Sequence, residues 1–516
     1  MEKNSRTEYS LRNSAVGMLA KILAILAGYV TRMVLVRVLS SDYVGVNGLL
    51  TNIMGAFALS ALGVDTALVY AMYAPAAEGD LRRQRALMQL YSRIYRIFAL
   101  VVLGFGLLIY PLLPLLVRER AQIASLELIC ALYILNTVLS YLWAYKRMMF
   151  LVHQRNYINE LFDAGFLILQ NVLQCLLLLR TGSYLLFLLT GIACTLVRNL
   201  LLTSYADRVY PFLREGEAAP VEEGERRSIL RNIRAMLIHK TGMVVINNTD
   251  NLLLTAMFGL LAVGSYSNYY LIIGSVAQVL DRIIYGITAS VGNLGATEDR
   301  SRVGRIFRVS FFATAWIYGF AAISLFVLLN PFVELSFGSR YLLPQVLTAV
   351  LSINLYLNGV RRATLVFRDS LGLFWYDRYK TPVEALVNLT ASIVLARRMG
   401  MTGVFVGTTV SILLISFWVE PFVLYREYLK EPLAPYFGRF FLYLAAVALG
   451  CGATWWLCAL VGGSLLRRFV LRLLLCLTVP NLLFYTLSRH FWEMGVLKDR
   501  FVPAVRRRLR RLRGRG

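Results

Sequence analysis

Apolar runs of about twenty residues alternate with short, mostly basic interruptions along almost the whole chain. A helix of about twenty apolar residues crosses the roughly 30 Å of bilayer hydrocarbon, so each run predicts a crossing. About fourteen can be drawn, at 13–39, 43–72, 90–117, 123–145, 159–180, 184–206, 235–258, 262–292, 306–330, 344–366, 382–396, 401–425, 437–461 and 466–488. The run at 382–396 is the shortest, because Arg397 and Arg398 cut it off; a start near Trp375 would bring it to length. The first run follows a basic start and has no small-residue cleavage site, which predicts a spanning helix and not a removed signal peptide. The pattern predicts an all-α integral membrane protein.

Composition agrees. Of 516 residues, 58% are hydrophobic and 16% charged, with a mean hydropathy of +0.62. Soluble domains sit near 45–50% apolar and about 25% charged. The net charge of +25 would suggest nucleic acid in a soluble protein. In a membrane protein it reflects the gathering of Lys and Arg on the cytoplasmic side. The tail from Arg506 to Gly516, RRRLRRLRGRG, fits anionic lipid head groups better than RNA, since no aromatic-interleaved surface accompanies it.

The basic loops set the orientation. With the N-terminus inside, inner loops hold Arg82, Arg83 and Arg85, then Lys146, Arg147 and Arg155, then Arg226, Arg227, Arg231 and Arg234, then Arg300, Arg302 and Arg305. The outer loops hold fewer, although Arg467 and Arg468 run against the trend. An even number of crossings puts both termini in the cytoplasm.

A mixed Pro, Gly and charge segment from Arg208 to Arg231 follows the sixth crossing and has the composition of a linker. It divides the chain into two halves, and the halves repeat. A shift of 219 sets Lys21 on Lys240 (240 − 21) and Gly45 on Gly264 (264 − 45) without a gap. RIYR at Arg93–Arg96 has its counterpart in RIFR at Arg305–Arg308. An even number of helices per half makes the repeat parallel, with a site expected between halves near mid-bilayer. The domain reading is a six-helix bundle at 1–210, a linker at 211–234, a second six-helix bundle at 235–430, two more crossings at 431–490 and a basic tail at 491–516.

Candidate chemistry is sparse. Six cysteines lie in apolar runs with no C-x-x-C pair, three histidines lie far apart, and no P-loop, G-x-S-x-G or H-E-x-x-H pattern occurs. No metal or cofactor is expected. What remains is charge inside the spans. Lys21, Gly28 and Arg32 share one helical stripe, and Lys240, Asn247 and Asn251 repeat its spacing in the second half. A mid-bilayer charge costs at least about 2.5–3.5 kcal/mol and faces a bundle interior or a wet cavity. Near the helix ends, Lys21 and Lys240 fit snorkelling as well as they fit a cavity. The cost argument places Arg32, at two-thirds depth, on a cavity wall, while Arg37 lies further out and Arg198 nearer an edge. Among the acids Asp250 is in mid-span, suited to pairing with a cavity cation, carrying a coupling ion or bonding neighbouring helices. Asp65, Glu160, Asp163, Asp281, Glu384 and Glu420 lie in or near other spans, and a dipole role would suffice for Glu160 and Asp163 at a helix start. More cations than anions suit an anionic ligand such as a pyrophosphate. Tyr266, Tyr269 and Tyr270 fit either sugar stacking or an interfacial aromatic belt.

These residues also carry a resemblance. The run YVGVNGLLTNIMGAFALSALGVDTALVYAMYAPAAEGD (Tyr43–Asp80) resembles the first-half signature of bacterial polysaccharide flippases, a family of the multidrug/oligosaccharidyl-lipid/polysaccharide exporter superfamily. KTGMVVINNTDNLLLTAMFGLLAVGSYSNYYLI, from Lys240, resembles the second-half signature. The resemblance covers the first two-thirds of the chain. It implies two six-helix bundles around a cationic cavity, two further helices, and cavity arginines on the first helix, here Arg32 and Arg37. It also implies movement of undecaprenyl-pyrophosphate-linked oligosaccharide from inner to outer leaflet of the bacterial plasma membrane, with polysaccharide assembly enzymes as partners. The substrate-binding set expected is Lys21, Arg32, Arg37, Arg198, Lys240, Asn247 and Asn251, with Asp250 as cavity or coupling acid.

Three alternatives stand beside this. A peptidoglycan-precursor flippase shares the design. A drug exporter of the same superfamily should prefer cavity carboxylates, for which Asp250 is thin support. A membrane glycan polymerase or ligase needs a sizeable external loop, and the external loops are short. A transporter, not an enzyme, is expected.

Overall fold

The computed structural model describes residues 22–109, 125–153, 155–214, 223–285, 298–373 and 376–497 with isolated positions between them; side chains at 56–68, 234–249 and a few single positions are outside the description. The described chain is helical and forms no strand. In order come α1 (residues 22–38), α2 (Ser41–Glu78), α3 (Leu81–Ile109), α4 (Leu126–Leu142), the short α5 (Met148–Val152), α6 (Tyr157–Thr181), α7 (Tyr184–Val209) and α8 (Glu223–Tyr285). Then follow α9 (Arg300–Phe337), α10 (Gln345–Ser370), α11 (Lys380–Met399), α12 (Met401–Leu429), α13 (Ala434–Ala459) and α14 (Leu465–Ser488). Helices dominate because inside hydrocarbon every backbone amide and carbonyl must find its partner within the segment.

Each of the fourteen apolar runs has a helix over its described residues, and α8 carries two of them. Among the described residues eight helices are long and apolar enough to cross a membrane, and nine if α4 and the bent segment Ala144–Val152 make one span. The fold is that of an all-α, multi-pass membrane protein.

Gly259 divides α8, with φ +79° between two helical legs. That backbone region is open to glycine at little cost. In the repeat register Gly259 falls on position 40 (259 − 219), and Ser40 is where α1 gives way to α2. The two halves therefore break their first helix pair at the same place.

Several helix limits differ from the apolar runs. α3 begins at Leu81 and α9 at Arg300, well ahead of their apolar parts, because basic residues extend both helices beyond the hydrocarbon. α11 starts at Lys380, so its length comes from running on through Arg397 and Arg398 to Met399 and not from an early start near Trp375. The second part of the expected linker is helix from Glu223 onward. Arg227 pairs with Glu223 one turn away at 2.6 Å, and Ile229 and Ile233 sink into a core.

The chain folds as two compact units, Met1–Ser267 and Asn268–Gly516. The division falls inside the second leg of α8. In the first unit a core gathers Tyr91 and Tyr95 of α3, Met149 and Phe150 of α5, Ala206 of α7 and the two isoleucines of α8.

In the second unit α9 is the central helix, packed against α10, α13 and α14. The last two helices attach through aromatic rings, with Phe311 and Tyr436 at 4.7 Å and Trp316 stacked on Phe484 at 5.7 Å. α12 contains two wider π-type turns, on either side of the segment holding Pro421, whose missing amide cannot bond back along the helix. The arginine-rich end of the basic tail, Arg506 to Gly516, lies outside the described residues.

Candidate functional site

The first unit contains a pocket of about 350 Å³ walled by α1, α2, α4, α6 and α7. α1 brings Gly28, Thr31, Arg32 and Leu35 to it, spaced as one helical face. Arg32 donates from Nη1 to Asn47 Oδ1 at 2.9 Å and from Nη2 to the Gly264 carbonyl at 3.5 Å. Asn47 passes the network on, donating from Nδ2 to the hydroxyls of Tyr133 at 2.7 Å and Tyr184 at 3.2 Å. Asn47 thus has its carbonyl toward the guanidinium and its amine toward the phenols, an orientation in which all its contacts agree.

The opposite wall is made of amides. Thr31 donates to Asn171 Oδ1 at 2.5 Å, and Gln174 donates to the Phe187 carbonyl at 2.9 Å. Gln170, Asn136 and Thr137 complete the polar lining. Among the described lining residues one is cationic, nine are polar and neutral, and none is acidic. Chemically, the pocket offers a fixed cation and many hydrogen-bonding groups to an anionic, hydroxyl-rich ligand.

The expected site residues do not all meet here. Arg32 lines the pocket; Arg37 is exposed on the same helix and is not part of the lining. Arg198 belongs to another cluster. It lies 3.4 Å from Asp163, which also receives Arg147 at 2.7 Å, and it donates to Asn199 at 3.2 Å. Asp163 therefore binds two arginines, a larger part than the helix-dipole role expected of it. Asn251 is buried on α8 and Asp250 partly buried beside it, and the pocket lining includes neither. Lys21 lies outside the described residues, as do the side chains of Lys240 and Asn247.

Sequence reasoning does not single out Asn47, Tyr133, Asn136, Gln170, Asn171 or Gln174 as site residues. Their signal is nonetheless present: amides at 170, 171 and 174 interrupt an apolar run, and intramembrane polar groups face a bundle interior.

The second unit holds a further charged cluster. Glu420 is fully buried and takes a two-pronged contact from Arg361, Nη2 at 2.6 Å and Nε at 3.0 Å, plus Lys380 Nζ at 2.5 Å. Glu384 accepts from Ser416 at 2.6 Å and lies 3.5 Å from Arg361, while Asp377 pairs with Arg368. Nearby, Asp281 accepts from the Tyr318 hydroxyl at 2.6 Å and from Arg362 at 2.9 Å. The sequence places Glu384, Glu420 and Asp281 in or near spans but does not point to Arg361 and Arg362 as their partners. Among the described residues each of these acids has a cation, so the cluster closes on itself and offers no net charge to a ligand.

Tyr269 of the aromatic run is fully buried. It donates to Asn330 at 2.6 Å and accepts from the Leu343 amide at 3.0 Å. It ties α8 to α9 and is not available for sugar stacking.

No family model matches the chain, and no curated protein matches it in sequence. Solved structures do. The lipid II flippase MurJ in an inward-closed conformation superposes with a TM-score of 0.69 at 12% identity, over 92% of this chain and 98% of that one. The chain has the fold of a membrane transporter. An inward-facing multidrug resistance MATE family transporter of the MOP superfamily superposes with a TM-score of 0.59 at 14% identity, over 81% of this chain and 97% of that one. For a mutant of the Vibrio cholerae MATE transporter VcmN the TM-score is 0.56 at 12% identity, over 84% and 99% of the two chains. At such identities the likeness concerns fold alone, and the chemistry rests on the pocket.

Proposed function

We propose that this protein is a flippase of the multidrug/oligosaccharidyl-lipid/polysaccharide exporter superfamily that carries a polyprenyl-pyrophosphate-linked oligosaccharide from the inner to the outer leaflet by alternating access. The observation that supports this most is the polarity of the pocket in the first unit, where Arg32 stands among amides and hydroxyls with no described acid in the lining. A guanidinium suits a phosphate oxygen, and amide and tyrosine hydroxyl groups suit sugar hydroxyls. A cationic drug would find a pocket of the wrong sign. In this reading Lys21, Lys240, Asn247 and Asn251 extend the cavity wall, Asp250 supplies its acid, and Arg37 and Arg198 stand nearer its mouths. The basic tail rests on anionic lipid, and polysaccharide assembly enzymes receive the product.

A peptidoglycan-precursor flippase is the second reading, favoured by the TM-score of 0.69 to the structure of a lipid II flippase. Its substrate also joins a pyrophosphate to sugars.

The test is translocation in proteoliposomes, followed by leaflet-specific labelling of a short-chain polyprenyl-pyrophosphate glycan, with lipid II offered in parallel. Wild type should move the glycan, and Arg32→Ala should move it about 10- to 100-fold more slowly, the range expected for losing a charged hydrogen bond. Preference for lipid II would select the second reading. Full activity of Arg32→Ala, or transport of a cationic dye in place of both lipids, would overturn the proposal. Dependence on a proton or sodium gradient that is lost in Asp250→Asn would make that acid the coupling group.

A further inference from the structure

A second pocket in the first unit has no place in that reading. It measures about 260 Å³ and is lined by Arg85, Gln89, Ser92, Arg93 and Arg96 of α3 and by Lys146 of the turn Ala144–Arg147. Arg85, Gln89, Ser92 and Arg96 follow one another at intervals of three or four along one helical face, with Arg93 beside them. Among the described lining residues four are cationic and none is acidic. Such a site is built for an anion.

Among the described residues the neighbouring charges leave Arg93 and Arg96 in excess. Asp207 holds Lys146 through both oxygens, at 2.6 and 2.7 Å, but it also accepts from Arg214 at 2.9 Å and does not line the pocket. Arg85 donates to the Arg214 carbonyl at 3.0 Å, a contact that positions its guanidinium. Arg93 and Arg96 are exposed and form no ion pair among the described residues.

What lies next to the pocket narrows the anion. Beyond Arg96 the same face of α3 continues as Leu100, Leu103 and Leu107, at i+4, i+7 and i+11, all exposed. Their neighbours Ile97, Val101, Phe105 and Leu108 are exposed and apolar too. A broad exposed surface of this composition belongs against acyl chains and not in a water-filled cavity. One helix face thus presents cations where head groups sit and leucines where acyl chains sit.

We propose that Arg85, Arg93, Arg96 and Lys146 form a binding site for the phosphate of an anionic membrane phospholipid, whose acyl chains lie along Leu100, Leu103 and Leu107. Basic pockets at the ends of membrane helices recognise head groups in this way. By the distribution of basic loops the site faces the cytoplasmic leaflet, and it is separate from the Arg32 pocket.

The test is native mass spectrometry of the full-length protein, delipidated in detergent and titrated with phosphatidylglycerol or with phosphatidylcholine of the same acyl chains. Wild type should retain phosphatidylglycerol preferentially. Arg93→Gln with Arg96→Gln, both exposed and without ion-pair partners among the described residues, should weaken that preference about tenfold or more. Arg397→Gln with Arg398→Gln, equal in charge removed, should leave it intact. Equal preference in both double variants would overturn the proposal. Displacement of phosphatidylglycerol by millimolar inorganic phosphate would overturn it in favour of a soluble anion. Displacement by one equivalent of a polyprenyl phosphate would overturn it in favour of the transported lipid.

Discussion

Gly45 of α2 and Gly264 of α8 lie directly against each other. A Cβ added to Gly264 would stand 3.3 Å from the Gly45 nitrogen, and one added to Gly45 would overlap the Leu260 carbonyl oxygen. The 219-residue repeat equates these same two positions (264 − 45), so the crossing brings one motif of the repeat onto its own copy. Gly45→Ala should destabilise the protein by about 1–3 kcal/mol, since the atom in the way belongs to a backbone. Gly264→Ala, with a contact of 3.3 Å, should cost less. Thermal unfolding in detergent measures both, and an unchanged Gly45→Ala midpoint would mean that the crossing loosens freely.

Glu420 should be the most sensitive acid in the second unit. Glu420→Gln leaves Arg361 and Lys380 buried beside a neutral group, and breaking a buried pair on one side costs about 3–5 kcal/mol. Replacing Glu420 and Arg361 together by methionine should recover part of that loss. If the single variant unfolds at the wild-type temperature, the cluster is better hydrated than its burial indicates.

Asn47 orients Arg32 and the two tyrosines, so Asn47→Ala should slow translocation while leaving the fold in place. About tenfold is expected, the value of one hydrogen bond to a charged group. Asn47→Asp should differ in kind, because it puts a carboxylate against Arg32 and reduces the charge offered to an anion. Glycan transport and cationic-dye transport, measured in parallel, read the two effects separately.

His153 should make stability depend on pH. It stacks on Tyr210 with ring centroids 5.0 Å apart and contacts Gln84 at 3.3 Å. Burial, and then the charge of Arg155, lower its pKa below the ordinary 6.5. The folded protein thus prefers the neutral ring. Its contribution is complete above pH 6.5, where the unfolded chain is also neutral, and falls as pH drops toward the lowered folded value. His153→Gln should flatten that part of a plot of unfolding temperature against pH. Identical curves for variant and wild type would remove His153 from the account.

Legibility followed physical range. Arg32 could be placed on a cavity wall from its depth alone, because the cost of a charge in hydrocarbon depends on little else. Arg198 satisfies the same argument, yet its position is governed by Asp163, thirty-five residues earlier (198 − 163) and on another helix. Tyr269 has the sequence setting of an interfacial ring, but its hydroxyl reaches Asn330 across 61 residues. Pairings of this kind leave no periodic trace.

By itself the sequence determined where helices form and the register in which the two halves repeat. These depend on local quantities: the apolar length that spans hydrocarbon, and the backbone that must bond within its own segment. Only the tertiary structure decided which polar groups share a pocket. Asn47 meets Tyr133 across 86 residues, and Thr31 meets Asn171 across 140. It likewise decided that Glu420 answers Arg361 and Lys380 instead of a ligand. A charge in a membrane must have a partner, but packing between distant helices chooses which one.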